Sequence, residues 1–434
     1  MKNIENSIYE NQDKIIEVIR KGIQIPSVKG EPQENAPYGE NVKRMLEFAL
    51  ELGESWGLKT KNVDGRAGWV EIGEGDSMVA ILGHLDVVPE GNGWEYEPYG
   101  AEVHDEILFG RGVADDKGPT LGAMYALKLI KDAGIPLKKR IRVIFGMDEE
   151  NGSSCIKHYI ACGEEIPEAG FTPDAEYPLI FFEKGIVNVK VGKTDGIEKD
   201  DTVQSIKAGL AGNIVPPKCT IVKKDGEYVE VSGREAHAST PWLGESAVLN
   251  MISVLKEMNP KGDVAKLLQF LSEKMEKEAN GKNLGIYYQD DETGVTTVNL
   301  GMLTYSKEKL EFDLDIRYPK NGDADTILHK VKEAVESCGL EILATKKTDM
   351  LYVPKESNVV KKLMSVYKEV TGDESEALAI GGGTYAKMFP NMVAFGPIFP
   401  GMTARIHQAN EQMEIEKLME SIVISAKGIL ALAE

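Results

Sequence analysis

The sequence has 434 residues, of which 42% are apolar, and a formal net charge of -20. That length exceeds one ordinary core and suits two or three domains, while the apolar share suits packed domains over a disordered chain. The negative charge repels phosphate backbones and anionic lipid surfaces, which argues against a nucleic-acid or membrane partner.

Four cysteines, Cys155, Cys162, Cys219 and Cys338, are scattered and form no CxxC pair, so neither a zinc ribbon nor a thioredoxin-like motif is expected and a reducing cytosol suits them. The N-terminal stretch MKNIENSIYENQDK is polar and charged and lacks the apolar centre of a signal peptide. No run of about 18 apolar residues offers a membrane span. These features predict a soluble, cytoplasmic protein.

In chain order, Ile8, Ile15, Ile16, Ile19 and Ile23 predict a helix over 8–23 that stops before Pro26. A second helix is predicted from Val42 to Trp56, closed by Gly57. Val79 to Leu82 reads as a short buried strand, after which Gly83 releases the chain into His84 and Asp86. Ala101–Val103 and Ile107–Phe109 can pair as a hairpin. The glycine-rich loop GRGVADDKG (110–118) leads into an apolar helix over 120–131, and the strand RIRVIF (140–145) precedes the acidic Asp148, Glu149 and Glu150. Strand, polar loop, helix, repeated, is the α/β pattern.

From about Gly185 the pattern changes. Segments 186–191, 229–231, 295–300 and 310–316 read as half-exposed strands, with helices near 245–258, 263–277 and 323–337 between them, as in an antiparallel α+β layer. Near Tyr352 the α/β alternation resumes, with a helix over 357–371, a glycine loop at 381–383, a strand at 392–395 and a last helix over 410–431. The expected fold is therefore α/β: a mixed-sheet catalytic domain, 1–184 and 351–434, split by a long inserted α+β lid domain, 185–350.

Ligand-type residues gather just past the strand ends: His84 and Asp86, Asp115 and Asp116, Glu149 and Glu150, Asp174 in FTPDAEYP and His407 in ARIHQANE. Open α/β sheets place their sites there. Carboxylates converging on one point repel each other unless a cation joins them, whereas two divalent ions about 4 Å apart would turn the same set into a hydrolytic centre. Nitrogen and oxygen donors suit zinc, manganese or cobalt. His104, His158 and His329 lie outside these clusters and read as surface or structural histidines. Asp148 reads as a helix cap, and Arg317 can pair with Asp315 or Asp313 on its own strand.

GHLDVVP, GRGVADDKG, MDEENGS, TPDAEYP and RIHQANE occur in that order. Together they resemble the motifs of the di-metal aminoacylase and carboxypeptidase superfamily over nearly the whole chain. ADDKGP, TPDAEYP, GGGTYAKMFPN and FGPIFPGM are most similar to the PepV-like dipeptidases. The resemblance implies that Asp115 bridges both ions, with a cis peptide to Asp116. His84 and Asp174 then complete one ion, Glu150 and His407 the other. It implies that Glu149 is the general base toward a water held by the ions, and that Asp86 orients the His84 ring. By the same resemblance, His237 in SGREAHASTP is the lid histidine that meets the oxyanion of the tetrahedral intermediate, and Asn213 in AGNIVPP and Arg317 in DIRYP contact substrate. Gly382 and Gly383, before Thr384, can offer N–H groups to a substrate carboxylate.

The function so implied is metal-dependent hydrolysis of dipeptides with a free N-terminus, by a monomer holding two divalent ions, zinc in first place. An N-acyl amino acid amidohydrolase or desuccinylase, and an inactive metal-binding scaffold, are the alternatives.

Overall fold

The computed structural model describes residues 4–198 and 200–434. Contacts divide the chain into two compact units, one of Met1–Phe181, Val353–Leu378 and Gly383–Glu434, the other of Phe182–Tyr352 and Ala379–Gly382. Among the described residues no helix is long and apolar enough to cross a membrane.

The first unit is built on a twisted mixed sheet. Its strands run in the order Lys59–Val63, Ala67–Ile72, Arg140–Gly146, Met78–His84, Ala169–Thr172 and Met392–Ala394. Met78–His84 pairs in parallel with both Arg140–Gly146 and Ala169–Thr172, and the last two strands of this series are also parallel. Every residue of Met78–His84 is buried, as expected of a parallel strand covered on both faces. Helices Lys117–Asp132 and Ile415–Ala433 pack on the central strands and on each other. Lys59–Val63 and Ala67–Ile72 form an antiparallel hairpin at the sheet edge. Their weak alternation hid both strands from the sequence reading.

Two predicted helix bounds change. The helix expected over 8–23 is two helices, Ile4–Glu10 and Gln12–Ile23. They break at Asn11, whose amide donates back to the Ser7 carbonyl at 2.9 Å. An asparagine side chain competes in this way with the helical ladder. The last helix starts at Ile415, not near 410. The residues before it, Gln412–Glu414, pair antiparallel with Ile107–Phe109 of the predicted hairpin, which ties the His407 loop to the glycine-rich loop.

The second unit is a seven-stranded antiparallel sheet in the order Tyr228–Ser232, Lys218–Lys223, Val203–Ala208, Thr297–Tyr305, Leu310–Tyr318, Gly185–Lys193 and Glu341–Thr348. Val187, Val189 and Val191 are buried, while Asn188 and Lys190 between them are only half-buried. That alternation presents one apolar face, and helices Ala247–Met258, Gly262–Lys274 and Ala324–Ser337 supply Met251, Leu267, Phe270 and Val331 to the same core. The α+β character matches the expectation. The strands at 218–223 and 341–348 carry too many lysines and threonines to stand out as a period, and that at 203–208, VQSIKA, is too short and mixed.

Candidate metal centre

The central strand ends at His84, and the close packing beneath it requires Gly83. A Cβ there would lie 1.8 Å from Thr120 Oγ1 and 2.7 Å from Asp116 Oδ2. Asp116 occupies that space because its Oδ2 accepts the His84 backbone N–H at 3.1 Å and the Thr120 hydroxyl at 2.8 Å. The Asp116 carboxylate thus holds the strand end and the first turn of helix Lys117–Asp132 together. The peptide between Asp115 and Asp116 is cis.

The His84 ring is fully buried and its two nitrogens have separate tasks. Nδ1 lies 3.0 Å from the Asp86 carbonyl oxygen. That oxygen can only accept, so Nδ1 carries a proton, and Nε2 is the nitrogen turned toward the carboxylates. Nε2 lies 3.0 Å from Asp115 Oδ1 and 3.8 Å from Asp174 Oδ2. The other oxygen of the same carboxylate, Asp115 Oδ2, is 2.9 Å from His407 Nε2, which is 3.2 Å from Glu150. Two donor groups result, His84–Asp115–Asp174 and Asp115–Glu150–His407, each within 4.8 Å, with Asp115 common to both. His407 sits in the left-handed region at φ 61°, as do Arg405 and Asn410 beside it, a backbone state that side chains other than glycine adopt at a cost.

Asp86 orients His84 through its main chain. Its carboxylate instead accepts the backbone N–H groups of Glu149, at 3.0 Å, and Glu150, at 3.2 Å. One residue therefore sets both an imidazole of the first donor group and a carboxylate of the second. Burial pushes the Glu149 carboxyl up to about 7, against the pull of His84 and with the help of Glu150, Asp86 and Asp115.

The electrostatics fit divalent cations. Burial, then the Asp115 charge, holds the Asp174 carboxyl well above its ordinary range. Hydrogen bonds to Asp115 and Glu150 raise His407 to about 10. In Asp115, hydrogen bonds from His407 and His84 outweigh the cost of burial and lower the carboxyl. Protons and imidazolium groups thus supply the positive charge that these carboxylates demand, which is the place a metal ion would take. Five oxygen and nitrogen donors without sulfur suit zinc, manganese or cobalt.

Glu411, which the sequence reading passed over although it closes the RIHQANE motif, is fully buried under the Asp115 loop. It accepts Arg111 Nη1 at 2.7 Å and the backbone N–H groups of Gly112, Ala114 and Asp115 at 3.0–3.2 Å. Burial and the Asp115 charge push it up to about 7. Lys117, also buried, donates to the carbonyls of Gly22 and Ile25 at 3.1 and 2.6 Å. Asp148, expected as a helix cap, instead pairs with Lys29 at 2.7 Å and accepts the Ser154 hydroxyl.

The remaining predicted residues lie in or beside the second unit. Asn213 and His237 are neighbours there: the Ala238 N–H donates to the Asn213 carbonyl at 2.9 Å, and Ile214 bridges His237. His237 Nδ1 is 2.6 Å from Ser239 Oγ, and burial followed by the Arg317 charge lowers its pKa. Arg317 makes the strand pair expected as one of its options, with Asp315 at 2.8 and 3.0 Å, and also donates to the Gly381 carbonyl at 2.7 Å. Gly382 ends the second unit and Gly383 reopens the first.

Residues 80–431 match the model of "Peptidase family M20/M25/M40". The chain is 34% identical to "Putative dipeptidase YtjP" of Bacillus subtilis, covering 100% of both chains. It is 31% identical to a "Putative dipeptidase" of Staphylococcus saprophyticus, covering 98% of both. Among solved structures, human carnosine dipeptidase 1 superposes with a TM-score of 0.65 at 14% identity, over 100% of this chain and 98% of that one. At that identity the likeness is one of fold. Family match and full-length relatives together place the chain: it belongs to peptidase family M20/M25/M40 and is a metallohydrolase.

Proposed function

We propose that the protein is a cytosolic dipeptidase acting on dipeptides with a free N-terminus. The observation that carries this reading is the position of Asp115, whose two carboxylate oxygens serve two separate donor groups. His84 and Asp174 would complete the first ion, Glu150 and His407 the second, zinc in first place and manganese or cobalt as alternatives. When bound, the two ions polarise the scissile carbonyl and lower the pKa of water toward neutrality.

The chain's own residues do the rest. A carboxyl raised to about 7 by burial is matched to proton transfer near neutral pH. Glu149 would accept a proton from the attacking water and return it to the leaving amine nitrogen. Asp86 holds the backbone of Glu149 and Glu150 in place, and its carbonyl fixes the His84 tautomer. Asn213, His237 and Arg317 are proposed as substrate contacts and Gly382 and Gly383 as N–H donors to the substrate carboxylate, on the motifs around them. Support for dipeptides comes from full-length relatives whose names read dipeptidase.

The test is a panel of dipeptides, tripeptides, N-acetyl and N-succinyl amino acids, each with and without added zinc or manganese. Preferential, metal-dependent cleavage of dipeptides is expected. Cleavage of N-acyl amino acids alone would make the protein an acylase, and no turnover with any of them would make it a scaffold.

A further inference from the structure

A second cluster of donor atoms lies at the C-terminal end of helix Ser154–Ala161. His158 and Cys162 are four residues apart, which puts both on one face of the helix and its cap. Asp64 faces them from the tip of the hairpin Lys59–Val63/Ala67–Ile72. The sequence Asn62-Val63-Asp64-Gly65 makes that tip: Asp64 and Gly65 both have positive φ, 51° and 67°, and the Gly65 N–H donates to Asn62 Oδ1 at 2.7 Å. A tight turn of this kind presents the Asp64 carboxylate in a set direction.

The three donors form a triangle. His158 Nε2 is 2.9 Å from Asp64 Oδ2, Cys162 Sγ is 3.2 Å from His158 Nε2, and Sγ is 3.5 Å from Asp64 Oδ2. For tetrahedral zinc, bond lengths of about 2.0–2.3 Å place donors about 3.3–3.6 Å apart. The triangle therefore needs to open by only a few tenths of an ångström. The thiol's hydrogen bonds to both partners are weak ones, and a thiolate bound to a cation would replace them with a stronger interaction. Cys162 is also the exposed thiol, while Cys155, Cys219 and Cys338 are buried. The carbonyls that end the helix add a partial negative charge that favours a cation.

We propose that Asp64, His158 and Cys162 form a mononuclear site for a thiophilic divalent cation of the zinc class, separate from the His84–His407 centre. One imidazole, one carboxylate and one thiolate are a zinc-type donor set, and the exposure of Asp64 and Cys162 beside a half-buried His158 leaves the fourth position to solvent. On this proposal His158, which the sequence offers as a surface or structural histidine, is a ligand.

Sulfur makes the site separately visible, since the five donors of the other centre include none. Metal-free protein is titrated with cobalt(II), and the sulfur-to-cobalt charge-transfer band in the near ultraviolet is followed. The expected result is a band that saturates at one thiolate-bound ion per chain and disappears in Cys162→Ser. In His158→Ala and Asp64→Ala the midpoint should move to about 10-fold higher cobalt or more. Zinc-loaded Cys162→Ser should hold one ion fewer per chain, with peptide turnover unchanged. Three results overturn the proposal: no band in the unaltered protein, a band that survives Cys162→Ser, or midpoints unmoved in both alanine variants, which would reduce the site to a single thiol.

Discussion

The Glu149 backbone N–H donates to Asp86 Oδ1 at 3.0 Å, so the placement of Glu149 depends on its main chain and leaves its carboxyl free. Exchanging the carboxyl for an amide therefore removes proton transfer without disturbing the loop that carries Glu150. In Glu149→Gln we expect metal content to stay and turnover to fall by about 10²-fold or more, the usual worth of a general base. Metal analysis beside kinetics decides it. A parallel loss of metal would make Glu149 a ligand.

Asp115 is the one residue common to both donor groups. Asp115→Ala should lose metal at both positions together with activity, while Glu150→Ala should spare the His84 side. Bound ions stabilise the fold in proportion to the logarithm of their concentration over Kd, so a chelator should lower the melting temperature of the unaltered protein by more than that of Asp115→Ala, which lacks both ions of the His84–His407 centre. Full metal occupancy in Asp115→Ala would sink the bridging role.

Glu411 holds the loop that presents Asp115. Truncating one partner of a buried, hydrogen-bonded ion pair costs about 3–5 kcal/mol, because the other charge is left behind. Glu411→Ala should show that loss in denaturant unfolding and should weaken metal binding, since Gly112, Ala114 and Asp115 lose their common acceptor. A change within about 0.5 kcal/mol, ordinary for a surface substitution, would remove Glu411 from the supporting set.

His237 is proposed to act on substrate and not on metal. His237→Ala should cut turnover with ion content unchanged, as for a contact formed in the transition state. We also propose that the protein is a monomer supplying its own His237. Mixing inactive Glu149→Gln with inactive His237→Ala should then restore nothing. Recovered activity in the mixture would show that two chains share a site.

Much of the first unit was legible because its signals are local. The run Met78-Val79-Ala80-Ile81-Leu82 is apolar at every position, which suits a strand covered on both faces. The five motifs each sit at a strand end, so their order along the chain already suggested one site. Lys59–Val63 and Glu341–Thr348 escaped because edge strands face solvent and carry the same residues as loops. The break at Asn11 escaped because the isoleucine period runs through it.

By itself the sequence determined the α/β character, the change of pattern near Gly185 and the types of ligand residue, since these follow from short-range periodicity and from side-chain chemistry. Tertiary structure alone decided which oxygen of Asp115 faces which histidine, that Asp86 acts on Glu149 through a backbone N–H, and that Glu411 lies beneath the Asp115 loop. It also decided that Asp64, nearly a hundred positions earlier in the chain, meets His158 and Cys162. The physical reason is the same in each case. A hydrogen bond or a ligand triangle is set to tenths of an ångström by packing between segments far apart in the chain, and no local pattern encodes that distance.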